Sequence, residues 1–178
     1  MGTYDTILVP TDGSPGFERV IDHAGEIAGV HDADVVALYV VDAATYTGLP
    51  MEASWEGVRE VLDGQGQAAL REVEQLLDDQ VDLETTTVDG RPSREIVRVA
   101  RDRGVDCIVM GTHGRGGIDR LILGSVAERV VRSAPVPVVT VRLDDSGPTG
   151  TVDEDREREQ ERDHEQEQDR EPAAAGPG

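Results

Sequence analysis

Gly111, Gly114, Gly116 and Gly117 fall within seven residues, in the run Gly111-Thr112-His113-Gly114-Arg115-Gly116-Gly117. With no Cβ atoms at these positions, backbone N–H groups can approach a ligand closely, and the concave array they form suits phosphate oxygens. Seven residues further on, Gly124-Ser125 opens a helical pattern. The free N–H groups of that helix and roughly half a positive charge of dipole would point at the same region, with the Ser125 hydroxyl as a further donor. Such a cradle requires neither lysine nor a metal ligand from the protein. Arg115, and a divalent ion such as Mg2+ carried in on the phosphates, would meet the remaining charge. A second candidate group is Asp12 in Pro10-Thr11-Asp12-Gly13-Ser14. Its carboxylate can accept hydrogen bonds from a ribose or a base, or it can cap the helix that follows. His113 can orient a water on a terminal phosphate or hydrogen-bond a backbone carbonyl, and nothing assigns a general base.

Composition narrows the chemistry further. The 178 residues carry 37 Asp and Glu against 17 basic residues, all of them Arg, for a net charge of -20. The absence of lysine removes a phosphate-loop lysine, a Schiff-base lysine and a lysine nucleophile. So acidic a chain repels nucleic acid phosphates and anionic lipid, so neither is an expected partner. No apolar run reaches the ~20 residues of a membrane helix, and Met1 to Pro10 lacks a signal pattern, so a soluble cytoplasmic protein is expected. A lone cysteine, Cys107, reads as a small buried core residue. An acidic, lysine-free surface suits work in very high cytoplasmic salt, and a GC-rich genome would also favour Arg over Lys.

The elements that must position these residues follow from periodicity. Thr6 to Val9, closed by Pro10, and Val35 to Val41, closed by Asp42, read as strands buried on two faces. Leu83 to Val88 is a threonine-rich, more exposed strand, Val105 to Met110 a buried one, and Val136 to Val141 a last β-branched one. Helical patterns cover Pro15 to Ala28 after a Ser14 cap, Gln67 to Leu77, Pro92 to Arg101 and Val126 to Arg132. Alternating strands and helices predict an α/β fold, a parallel open sheet with helices on both faces. Ligands of such sheets bind beyond the carboxyl ends of the strands, where the strand order reverses. The connection Ala43 to Gly66 takes no assignment beyond a lid or surface excursion. Residues 1–143 form the expected domain. From Asp144 to Gly178 there are 13 acidic residues and 4 Arg, and Asp153 to Glu171 holds no apolar residue, which predicts a disordered acidic tail.

The spacing Gly111-x2-Gly114-x9-Gly124-Ser125 resembles the nucleotide-binding signature of the universal stress protein family. Ile7-Leu8-Val9-Pro10-Thr11-Asp12-Gly13-Ser14 resembles that family's first strand and acidic turn, and the match runs from about Tyr4 to Arg142, through Ala134-Pro135-Val136-Pro137-Val138. The resemblance implies strand order 3-2-1-4-5, a fold of the adenine nucleotide α-hydrolase-like kind, and ATP between strands one and four. It implies further that Pro10, Thr11 and Asp12 line the adenosine pocket and that Val40 offers its backbone to adenine. Met110 and Gly111 would flank ribose and phosphates, Gly114 would hold the phosphate turn, and Gly124, Ser125 and Val126 would close on the phosphates. Homodimers through Val136 to Val141 are implied as well. The expected role is a stress-response sensor or adaptor rather than an efficient enzyme, with a slow ATP hydrolase as an alternative. The acidic tail and the long Ala43 to Gly66 connection depart from the family's minimal domain.

Three other readings compete. A dinucleotide enzyme of the Rossmann type needs G-x-G-x-x-G after the first strand, where this chain has only Gly13-x-x-Gly16. A hydrolase would show a G-x-S-x-G elbow around Ser125 or histidines at zinc-ligand spacing, and His23, His31, His113 and His164 offer neither. A dimeric scaffold without a physiological nucleotide would work through the last strand, whose edge invites pairing with another chain.

Overall fold

The computed structural model describes residues 3–42, 55–112 and 123–143. Nine elements follow one another: β1 Thr6–Thr11, α1 Glu18–His31, β2 Asp34–Val41, α2 Trp55–Leu76, β3 Leu83–Asp89, α3 Pro92–Arg103, β4 Cys107–Gly111, α4 Ser125–Ser133 and β5 Val138–Val141. The strands form one five-stranded sheet in the order β3-β2-β1-β4-β5, all pairs parallel. The expected α/β class and strand order are both observed.

Strand alternation divides the core in two. Ile7 and Val9 of β1, Val35, Ala37, Tyr39 and Val41 of β2, and Cys107 and Val109 of β4 point to one face, against Val20, Ile21 and Ala24 of α1 and Leu70 and Val73 of α2. Leu8, Val36, Leu38, Ile108 and Met110 point to the other, against Ile96, Val99 and Ala100 of α3 and Ala127 and Val130 of α4. The near-continuous apolar runs in the central strands follow from this double burial. The start of β1 is pinned by Asp106, whose Oδ2 accepts the N–H groups of Asp5 at 2.8 Å and Thr6 at 2.9 Å.

Several boundaries differ from expectation. Pro10 does not close β1; it lies inside the strand, opposite Leu38. Register with β4 is confined to Ile7 and Leu8, so a residue lacking an N–H sits beyond the ladder it would interrupt. The Ser14-Pro15 start of α1 is also displaced, because Gly16 at φ +81° breaks helical geometry and the helix begins at Glu18. Conversely, α2 begins at Trp55, so the part of the unassigned connection from Trp55 to Gly66 is helix. Gly66 has a packing reason: a Cβ there would lie 2.7 Å from the ring of Tyr39, which is buried. Strand β5 starts at Val138 rather than Val136, since Pro135 and Pro137 cannot donate to β4. The rest of the Ala43 to Gly66 connection, residues 43–54, and the acidic tail lie outside the described residues.

Cys107 is fully buried, and burial is the main cause that pushes its thiol above the ordinary 9.0. It is expected to resist a thiol reagent in the native protein and react on unfolding, a result read by mass spectrometry. As the unfolded thiol ionises first, stability should fall as pH rises past about 9. Among the described residues, no helix is long and apolar enough to cross a membrane.

Candidate functional site

The strand order reverses between β1 and β4, and there the sheet opens. On its β2 side β1 stays paired through Thr11 and Tyr39. On its β4 side pairing ends at Leu8 and Ile108, while β4 itself runs on beside β5 to Gly111 and Val141. A crevice at the carboxyl edge results, at the topological switch point where open α/β sheets receive ligands.

The β1 wall of this crevice turns sharply. Gly13 donates its N–H to Thr11 Oγ1 at 3.1 Å, and Ser14 donates both its N–H, at 3.1 Å, and its hydroxyl, at 2.6 Å, to Asp12 Oδ1. Positive φ at Gly13 (+70°) permits the turn. The plainer expectation for Asp12, a helix cap, needs correction in its target. Asp12 holds Ser14 in an Asx turn, and α1 starts four residues beyond Ser14, at Glu18. Thr11 and Ser14 are both buried. Ser14 matters here as the partner that orients Asp12, a role its reading as a helix cap did not reveal.

The opposite wall is built from β4 and α4. Thr112 donates its N–H to the Val141 carbonyl at 2.8 Å and accepts the Gly124 N–H at 2.6 Å. That second bond clasps together the two ends of the glycine-containing segment and brings the N-terminus of α4 to the end of β4. Gly124 is the N-cap in extended conformation, and Glu128 donates to its carbonyl at 2.8 Å, the first intrahelical bond. The N-cap residue Gly124 offers no side-chain acceptor of its own, and the N–H groups of Ser125, Val126 and Ala127 lie in the first turn of the helix, where no intrahelical partner is available. Thr112 is the residue sequence reasoning missed. It is buried and joins β4, β5 and α4, and the available signal was a threonine held between the end of a buried strand and the glycine run.

The other candidates fall into place around this frame. Pro10 and Thr11 end β1, Met110 and Gly111 end β4, and Val40 is the penultimate residue of β2. The Val41 carbonyl accepts the Gly90 N–H at 3.0 Å, toward β3. By strand alternation the Val40 peptide groups point to the opposite flank, beyond Thr11, the last residue of β1. The Met110 side chain is committed to the core, and Val126 packs at its margin. Met110 therefore has its backbone rather than its side chain to offer a ligand, while Val126 stays partly exposed. Gly114 and Arg115, like His113, lie outside the described residues. The donor set thus suits an anion held by backbone N–H groups. Among the described residues no cluster of three His, Cys, Asp or Glu is placed to hold a metal ion.

Comparison with known proteins bears on this geometry. Residues 3–142 match the model of the universal stress protein family. Universal stress protein MJ0531 of Methanocaldococcus jannaschii is 44% identical over 140 residues, which cover 78% of this chain and 82% of that protein. Universal stress protein of Methanothermobacter thermautotrophicus is 38% identical over 143 residues, covering 78% and 96%. The solved structure of hypothetical protein MJ0577, described as a structure-based assignment of biochemical function, superposes with a TM-score of 0.71 at 30% identity, covering 81% of this chain and 99% of that one. A universal stress protein solved in complex with cAMP superposes at 0.63 with 25% identity, covering 80% and 100%. Signature, strand order and matches therefore agree, and the chain belongs to the universal stress protein family.

Proposed function

We propose that this protein binds an adenine nucleotide, ATP foremost, in the crevice between β1 and β4, and that it acts as a cytoplasmic stress-response sensor or adaptor rather than an efficient enzyme. The observation that carries this reading is the 2.6 Å bond from Gly124 N–H to the Thr112 carbonyl. It sets the start of α4 beside the switch point, where first-turn N–H groups and the helix dipole favour phosphate. The related universal stress protein in complex with cAMP supports an adenine nucleotide as the ligand class. Pro10, Thr11, Asp12 and the Val40 backbone would hold the adenosine end. Met110 and Gly111 through their backbones, Gly114, Arg115, Gly124, Ser125 and Val126 would hold ribose and phosphates, with Mg2+ arriving on the phosphates. Residues 1–143 are the nucleotide-binding domain and 144–178 an acidic appendage. Nucleotide held by the stretch from Gly111 to Leu123 changes the surface offered to a protein partner.

Calorimetric titration with ATP, ADP and cAMP in molar potassium chloride tests this. High salt screens the self-repulsion of a chain at -20. Saturable binding near one nucleotide per chain is expected, and no binding of any of the three would refute the reading.

The sheet geometry also supports homodimerisation through β5. This strand forms one edge of the sheet, with β4 on its other side. The Val141 carbonyl accepts from Thr112, so by alternation the Thr140 N–H faces the open edge. Thr140→Pro removes an edge donor and leaves the β4 ladder intact. It should convert a dimer into a monomer by analytical ultracentrifugation with little loss of stability. A dimer that survives the substitution would exclude pairing through that strand edge.

A further inference from the structure

The body of this protein is strongly acidic, yet one groove on its surface is basic. Between α3 and α4 lies a groove of about 550 Å³ to which Arg94, Arg98, Arg101 and Arg129 all contribute, against Glu95 and Asp102. Over the whole chain, by contrast, acidic residues outnumber arginines by about two to one, 37 against 17.

The four guanidiniums are not equivalent. Arg98 is matched, its Nε donating to Glu95 at 2.7 Å and its Nη1 to Asp102 at 2.8 Å. Arg101 reaches across to the Ser133 carbonyl at the end of α4, at 3.5 Å. Arg94 and Arg129 make no hydrogen bond or ion pair with any side chain in the described residues. Both carboxylates of the groove are thus spent on Arg98, and two exposed guanidiniums, one from each helix, remain as donors with an excess of positive charge. Arg94, Arg98 and Arg101 stand at i, i+4 and i+7, so they share one face of α3. Val97, buried, supplies an apolar floor.

We propose that this α3/α4 groove binds a compact, multiply charged oxyanion of the phosphate class. Guanidinium forks match tetrahedral oxyanions with paired N–H donors, which a point charge does not. The volume lies in the range of small-molecule sites. Compactness follows from electrostatics, since a long polyanion that overran the groove would meet the acidic surface around it. No residue of the groove belongs to the nucleotide crevice, and the proposal stands whether or not that crevice takes ATP.

Inorganic pyrophosphate is the probe, titrated calorimetrically into the full chain at about 0.2 M potassium chloride, where screening is moderate. The wild type should bind it saturably, and the double variant Arg94→Gln, Arg129→Gln should bind about tenfold more weakly or worse. Both residues are exposed, so circular dichroism should report an unchanged fold. Gly114→Val separates the two sites, because pyrophosphate could also seat on the start of α4. Affinity retained in Gly114→Val and lost in the arginine double variant supports the groove. Affinity lost in Gly114→Val and retained in the double variant overturns it, as does a wild type that ignores pyrophosphate.

Discussion

Gly114→Val is expected to lower ATP affinity by about a hundredfold without unfolding the protein. The residue is the second glycine of Gly111-x2-Gly114-x9-Gly124-Ser125. A β-branched side chain there would enter the phosphate path and forbid the backbone conformations that aim N–H groups at the oxygens. Hydrogen bonds to charged groups contribute about 1.5–3 kcal/mol each, and about 1.4 kcal/mol is a factor of ten, so losing one or two gives that magnitude. Stability should hold, because the loop's base is closed independently by Gly124 N–H on the Thr112 carbonyl. Calorimetric titration of wild type and variant with ATP reads the difference. Equal affinities would contradict the assignment of the cradle.

A stability effect of comparable size is expected at Gly16, in the turn between the β1 end of the site and α1. Its φ is +81°, a region that β-branched residues rarely enter, and a Cβ built there would lie 2.5 Å from the Leu143 carbonyl oxygen. A backbone oxygen cannot rotate away as a side chain can, and Leu143 is held because it packs on the core beneath α1 and α2. Gly16→Val must therefore combine backbone strain with displacement of the last described segment. Together these should cost about 3 kcal/mol, or about 10 °C in Tm for a body of this size. Urea unfolding checks the first figure and a thermal melt the second. A variant as stable as wild type would mean that the chain turns differently at this point.

How far the fold could be read in advance depended on which interactions decide each feature. The sheet was legible because runs such as Ile7-Leu8-Val9 and Val35 to Val41 are apolar on both faces, which only a strand between two helical layers requires. The start of α1 was not. Ser14-Pro15 has the local chemistry of a helix entry, but Ser14 is bound to Asp12 and Gly16 takes a positive φ, both consequences of the turn at the end of β1. Likewise Pro10 reads as a strand terminator until the early end of the β1–β4 ladder is known. The start of α2 hid behind Gly57, Gly64 and Gly66, although the last is demanded by the Tyr39 ring across the core.

The candidate site shows the same division. Spacing alone located Gly111 and Gly124-Ser125, and the structure sets the ends of that segment in hydrogen-bond contact through Thr112. Thr112 itself was hard to single out because its importance lies in two backbone hydrogen bonds, to Val141 and Gly124, and in its burial, which residue type alone does not specify. Asp12 was legible as a carboxylate at a strand end, and the bond to Ser14 that orients it depends on a turn only the fold reveals.

The central claim is that the crevice between β1 and β4 holds an adenine nucleotide. The most direct measurement purifies the protein in molar potassium chloride without added nucleotide, denatures it, and identifies the released small molecule by ion-exchange chromatography and mass spectrometry. An adenine nucleotide recovered near one per chain is the predicted result. An empty protein that also fails to bind added ATP would contradict the account and leave the Gly111 to Ser125 segment as a structural turn.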